Sequence, residues 1–191
     1  PKGSARKKVT DEIVASQDKI SELTEAESLE LLAIQSKYIK LRKPLYEARA
    51  GKIAKCRGFW GHVLCNTPAL RHAITPADVP VLRFLQVLRV DFLSDDRPEL
   101  GYSITFEFSD DPSSGLHPIV WVQKVISFSE DGEATITVKT EPKDANVGNH
   151  VEGATFMQWL LSSDEEDLEV ADVILEDVWR TPLVYYEEGE V

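Results

Sequence analysis

The sequence predicts an α+β protein, a long N-terminal dimerisation helix followed by a lobe in which an antiparallel β-meander packs against helices. Three observations point there. Apolar residues recur at threes, fours and sevens from Ile13 to Leu45, the spacing of a helical seam. Four short runs between residues 85 and 139 alternate apolar and polar, the period of a half-buried strand. Residues 155–178 then return to a helical pattern with acids along one face. Of 191 residues, 42% are hydrophobic and four are tryptophan, enough for a real core, which excludes global disorder.

The first nine residues, "PKGSARKKV", are polar and are expected to be disordered. Thr10 is the expected N-cap of the long helix, with Asp11 and Glu12 in the first turn where the dipole favours them. The seam is Ile13, Ile20, Leu23, Leu31, Ile34, Tyr38, Leu41 and Leu45, with a weak point around Glu27 and Glu30. Pro44 should cost about 3 kcal/mol in a helix interior. The seam keeps its phase at Leu45, so a bend rather than a break is expected there. The stop is expected at "CRGFWG", around Gly58. A helix over residues 10–57 would be about 70 Å long, against a radius of gyration of about 16 Å for a compact chain of this size. It must therefore protrude, and a protruding apolar seam needs a partner; a second copy is the simplest.

Residues 58–186 form the expected lobe. "LQVLRVDFL" sets Leu88, Val90 and Phe92 against Arg89 and Asp91, and "YSITFEF" sets Tyr102, Ile104, Phe106 and Phe108 against Ser103, Thr105 and Glu107. "IVWVQKVISFS" and "EATITVK" flank "SEDGE", a hairpin turn with Gly132. A polar connector leads to "TFMQWLL", apolar nearly all round and expected to be buried. "SSDEEDLEVADVILEDVW" reads as one amphipathic helix with Ser162 or Ser163 as N-cap. Leu168, Ala171, Leu175 and Val178 share one face, and Glu165, Glu169, Asp172 and Glu176 another.

Charge is distributed unevenly. Residues 151–191 hold twelve Asp and Glu against Arg180 alone, so nearly all of the net charge of −12 lies there. Residues 37–57 hold eight basic residues against Glu47. Acids three and four apart repel by a few tenths of a kcal/mol per pair, so stability alone does not favour the acidic stripe. A solvated helix face is one reading of it, and a surface for the Lys and Arg of a basic protein is the other. The basic stretch is either a solvated outer face or a weak secondary contact to DNA.

Catalysis and metals find little support. Cys56, His62, Cys65 and His72 are spaced C-x5-H-x2-C-x6-H, which matches no zinc pattern, and no EF-hand-like loop appears. Gly-x-Ser-x-Gly elbows and Gly-rich phosphate loops are lacking too, so neither an enzyme nor a cofactor is expected. Two cysteines fit a reducing compartment rather than a disulfide framework. No apolar run approaches the roughly 18 residues of a membrane span.

Residues 36–68, "SKYIKLRKPLYEARAGKIAKCRGFWGHVLCNTP", followed by "GYSITFEFSDDP" and then by "FMQWL" and "ILEDVWRTPLVYY", resemble the nucleosome assembly protein family of histone chaperones, its SET-type branch in particular. The resemblance implies a headset-shaped homodimer in which two long helices pair antiparallel and each end carries an α+β lobe with an acidic, histone-binding lower surface. It implies no enzymatic activity, core histones as partners, a histone acetyltransferase as a further partner, and a nuclear location with shuttling to the cytoplasm. Matched by position, the histone-binding residues would be Asp110, Asp111, Glu130, Asp131 and Glu133, with Asp164, Glu165, Glu166, Asp167, Glu169, Asp172, Glu176 and Asp177. Residues 187–191, "EEGEV", would open an acidic tail. The competing reading is a coiled-coil scaffold whose acidic lobe docks another basic client.

Overall fold

The computed structural model describes residues 2–109, 121–129, 131–141, 153, 155–164 and 168–187. Helix α1 (Lys2–Ile53) runs 52 residues and passes through Pro44 without interruption. It starts eight residues before Thr10, so the expected disorder of the N-terminus and the N-cap at Thr10 are both corrected. No Pro separates Lys2 from the seam, and Ala, Arg and Lys are good helix formers, so nothing stops propagation toward the terminus. It also stops at Ile53, short of Arg57, and the chain turns at Gly58, whose φ of +74° suits glycine.

Helix α2 (Phe59–Asn66) then buries Phe59, Trp60, Val63 and Leu64. Gly61 lets it approach the next element closely: a Cβ there would sit 2.2 Å from the Leu82 carbonyl oxygen. A 3₁₀ turn (Pro68–Leu70) and the short α3 (Val79–Leu82) lead into the sheet. Strands β1 (Leu85–Phe92), β2 (Gly101–Phe108), β3 (Trp121–Phe128) and β4 (Ala134–Glu141) form an antiparallel meander in the order β1-β2-β3-β4. The β3–β4 turn closes at Gly132 (φ +81°), with the Gly132 N–H donating to the Ser129 carbonyl at 3.0 Å.

The register places Leu88 opposite Phe106, Val90 opposite Ile104, and Tyr102 opposite Ile126, which pairs onward with Ile136. These residues form the inward face, packed on α4 (Thr155–Leu161) through Phe156, Met157, Trp159 and Leu160. Phe106 meets Phe156 and Trp159 edge-on at 6.1 and 6.4 Å. The opposite face of β2 is not open: Ser103 and Thr105 are buried as well. Both lie on a central strand, and Thr105 is flanked in register by the long side chains of Arg89 and Gln123.

The C-terminal helix differs from its expected form. It is described from Leu168 as α5 (Leu168–Val173), which widens into a π-helical turn over Ile174–Val178; α6 (Pro182–Glu187) follows. The wider turn, closed by Trp179 N–H to the Ile174 carbonyl at 2.8 Å, shifts the phase of the buried face. Val170, Ala171, Ile174, Val178 and Trp179 are buried, while Leu168 and Leu175 are only partly covered. Ser162 acts locally, its hydroxyl accepting the Asp164 N–H at 3.0 Å.

Candidate functional site

The joint between α1 and the lobe is built from the residues that looked like a family signature. Tyr46 lies 5.2 Å from Trp179, which stacks on Trp60 at 6.0 Å; Phe59 stacks on Tyr186 at 4.6 Å. Arg49 lies over the rings of both Tyr46 and Trp179 at 4.8 Å. Its guanidinium donates to the Trp179 carbonyl at 2.6 Å and the Arg180 carbonyl at 3.2 Å, capping the π-helical turn. Burial lowers its pKa from the ordinary arginine value. Tyr46, Phe59 and Trp60 are thus joined with Trp179 and Tyr186, far away in sequence, in one aromatic unit.

The basic stretch reinforces this joint. Lys43 donates to Asp95 at 2.8 Å and Lys40 pairs with Asp96, both acids lying just beyond β1. The Asp95 hydrogen bond and charge raise the Lys43 pKa. Arg42 and Lys37 lie over the Tyr38 ring at 5.5 and 5.8 Å. Between α1 and the lobe remains a half-open cleft of ≈ 510 Å³, bordered by Ile39, Tyr46, Phe92 and Trp179 and by charges of both signs.

The acids divide into three groups. Asp172 is exposed, but it accepts a hydrogen bond from the buried Tyr102 hydroxyl at 3.0 Å. Burial first, and the Asp172 charge second, push the Tyr102 phenol well above its ordinary value. Glu176 pairs with Arg180 at 2.7 Å. Glu169, Asp177, Asp131 and Glu133 are exposed and make no side-chain hydrogen bond or ion pair among the described residues. Asp164 is exposed as well. Asp110, Asp111, Glu130, Glu165, Glu166 and Asp167 lie outside the described residues, as do most of the 141–153 connector and the end of the chain.

Two buried charged residues escaped sequence reasoning. Lys124 points inward opposite Ile104 and is fully buried, donating to the Trp159 and Ser162 carbonyls at 2.7 Å with its Nζ 4.6 Å from the Trp159 ring. It caps the C-terminus of α4, where a cation is favoured. Asp78, also fully buried, accepts from the Thr75 N–H and hydroxyl at 2.7 Å and from the Met157 N–H at 3.0 Å. The one signal for Lys124 is a lysine on the apolar side of an alternating strand.

The zinc candidates do not converge. Cys56 is exposed, Cys65 is partly buried with its pKa raised by burial, and the His62 ring lies 5.3 Å from Tyr186. Among the described residues no group of His, Cys, Asp or Glu could hold a metal, and no helix is long and apolar enough to cross a membrane.

A family model for the nucleosome assembly protein matches residues 50–113. NAP1-related protein 1 of Arabidopsis thaliana is 31% identical over 191 aligned residues, covering 89% of this chain and 73% of that relative. The chain belongs to the nucleosome assembly protein family. Protein SET of Drosophila melanogaster is 28% identical, over 92% of this chain and 72% of its own length. Nucleosome assembly protein S from Plasmodium falciparum superposes with a TM-score of 0.70 at 25% identity, over 93% of this chain and 99% of that one. Vps75 shares the fold at a TM-score of 0.67 and 19% identity, over 93% and 98%. The SET-type resemblance therefore stands, as does the fold of a long N-terminal helix followed by a four-stranded antiparallel sheet with helices.

Proposed function

We propose that this protein is a histone chaperone that binds core histones through the acidic surface of its lobe and assists nucleosome assembly as a homodimer joined through α1. The observation that carries this is the charge of residues 151–191, twelve acids against one arginine, in a member of a nucleosome assembly family. Glu169 and Asp177 on α5 and its π-helical extension, with Asp131 and Glu133 at the β3–β4 hairpin, are exposed acids with no side-chain ion pair among the described residues. Asp164 to Asp167, Asp110, Asp111 and Glu130 extend that surface in sequence. Each exposed ion pair contributes about 1 kcal/mol or less, so affinity comes from their number. Binding should weaken steeply as the Debye length shrinks from about 10 Å at 0.1 M salt.

In this reading the protein performs no chemistry; it shields histone charge until DNA competes for it, and can hold the histone for an acetyltransferase. That places it in the nucleus, with shuttling through the cytoplasm. A secondary DNA contact falls to Lys37, Arg42, Lys52, Lys55 and Arg57, because Lys40, Lys43 and Arg49 hold the joint. The self-association is supported by the exposed hydrophobic seam of α1, with Ile13 56%, Ile20 63%, Leu23 71% and Leu45 68% exposed. A dimer mass by light scattering at micromolar concentration is expected.

The competing client, another basic protein, is separated by titration over a salt series. Core histones and a non-histone protein of similar positive charge are each measured. The histone reading expects tighter histone binding at every salt concentration and transfer of bound histones to DNA. Equal affinities with no transfer contradict it.

A further inference from the structure

We infer that the outer face of the sheet binds a lysine side chain of the basic partner, on Trp121 between Glu107 and Glu141. The inference rests on the reading of the partner as a basic protein and adds a second place of contact to it. The register pairs Glu107 with Trp121 and Trp121 with Glu141, so the three side chains form one row across β2, β3 and β4. Their neighbours along the strands, Phe106 and Val122, are fully buried on the inward face. The row therefore lies on the face turned away from α4. Trp121 and Glu107 are partly buried and Glu141 is exposed.

Trp121 differs from the other three tryptophans. Trp60 and Trp179 stack on each other, Arg49 lies over the Trp179 ring, and the Lys124 Nζ is 4.6 Å from the Trp159 ring. The protein thus already places a cation over two of its indoles. Trp121 has neither a ring nor a cation against it among the described residues.

Its flanking carboxylates are equally unengaged. Glu107 and Glu141 make no side-chain hydrogen bond or ion pair among the described residues. The cations of the next row do not serve them. Arg89, opposite Thr105, pairs with Asp91 at 2.7 Å, and Lys139, opposite Gln123, makes no ion pair among the described residues. Ser103, Thr105, Gln123, Val125 and Thr137 make the rest of this face largely uncharged. Uncompensated negative charge is therefore confined to the row that holds the indole.

This arrangement selects an ammonium. Neighbouring strands are about 4.8 Å apart, so the Cα atoms of Glu107 and Glu141 stand roughly 10 Å apart with the indole between them. A cation over the indole is attracted by the ring quadrupole. An ammonium carries three donors that diverge, and it can serve the carboxylates on both sides at once; a planar guanidinium presents its fork to one. The long lysine stem covers apolar ring surface on the way in.

The test uses the full chain labelled with nitrogen-15 and two probes, end-blocked tetralysine and the same peptide acetylated at every Nε. Acetylation removes the charge and keeps the stem. The Trp121 indole N–H resonance, identified by its loss in Trp121→Phe, should move on titration with tetralysine and stay in place with the acetylated peptide. Trp121→Ala and Glu107→Gln/Glu141→Gln should each weaken tetralysine binding about fivefold. The Gln variant keeps the side-chain size, so it reads the site even if Trp121→Ala fails to fold. A Trp121 resonance that tetralysine does not move, or wild-type affinity in the Gln variant, overturns the site and leaves the chaperone reading standing. A Trp121 shift with tetralysine in a protein that binds no core histone leaves the site standing and overturns the chaperone reading.

Discussion

Residues 37–57 and residues 168–177 carry opposite charge, and the structure engages them to different degrees. Lys40 and Lys43 are neutralised by Asp96 and Asp95, and Arg49 caps the π-helical turn between two aromatic rings. Those cations belong to the internal scaffold. Glu169 and Asp177 have no such partner among the described residues, while Asp172 and Glu176 are tied to Tyr102 and Arg180. A charge count in the sequence gives the sign of a surface; only the pairing separates charge that builds the molecule from charge left for a partner.

The comparison breaks most visibly at the joint. Trp179→Ala removes the ring shared by Tyr46, Trp60 and Arg49, and should cost about 3–5 kcal/mol in chemical denaturation. Histone affinity measured while the variant is still folded should change little, since the joint is scaffold. Lys124→Ala should cost about 2 kcal/mol or more, because the Trp159 and Ser162 carbonyls lose a charged donor inside the lobe. A Lys43/Asp95 double-mutant cycle should return a coupling below about 1 kcal/mol that fades in high salt, both side chains being partly exposed.

The smallest effect is a pH dependence. Tyr102 has its pKa raised in the folded state, so its contribution is complete below the unfolded tyrosine value of about 10 and is lost as pH rises above it. Between about pH 10 and 11 the wild type should lose up to about 1.4 kcal/mol more than Tyr102→Phe, read by denaturant titration at each pH. At neutral pH that variant frees Asp172 from its internal bond. Its histone affinity should stay the same or rise slightly.

Local pattern carried much of the fold and less of the site. The four strands were legible because alternation follows directly from the pleat, and the seam of α1 because apolar residues recur at helical spacing on both sides of Glu27 and Glu30. What escaped depends on partners distant in the chain. Lys40 and Lys43 meet acids 56 and 52 residues away, and Lys124 is satisfied by carbonyls 35 and 38 residues away. The π-helical turn escaped for another reason: one widened turn moves Ile174 inward and Leu175 partly outward, and a fixed 3.6-residue period cannot represent that shift. Of the acids singled out in sequence, Glu169 and Asp177 came from the charge count and Asp131 and Glu133 from the family resemblance; all four are exposed, and the engagement of Asp172 and Glu176 required the fold.

The most direct test of the central claim is the affinity of core histones for Glu169→Lys/Asp177→Lys, measured across a salt series beside the wild type. Both side chains are exposed and the variant leaves the Tyr102–Asp172 and Arg180–Glu176 contacts in place. The account predicts an unchanged dimer mass, a melting temperature close to wild type, at least about tenfold weaker binding, or about 1.4 kcal/mol, and a shallower salt dependence. Wild-type affinity with a wild-type salt slope would contradict the assignment of this acidic surface to histone binding.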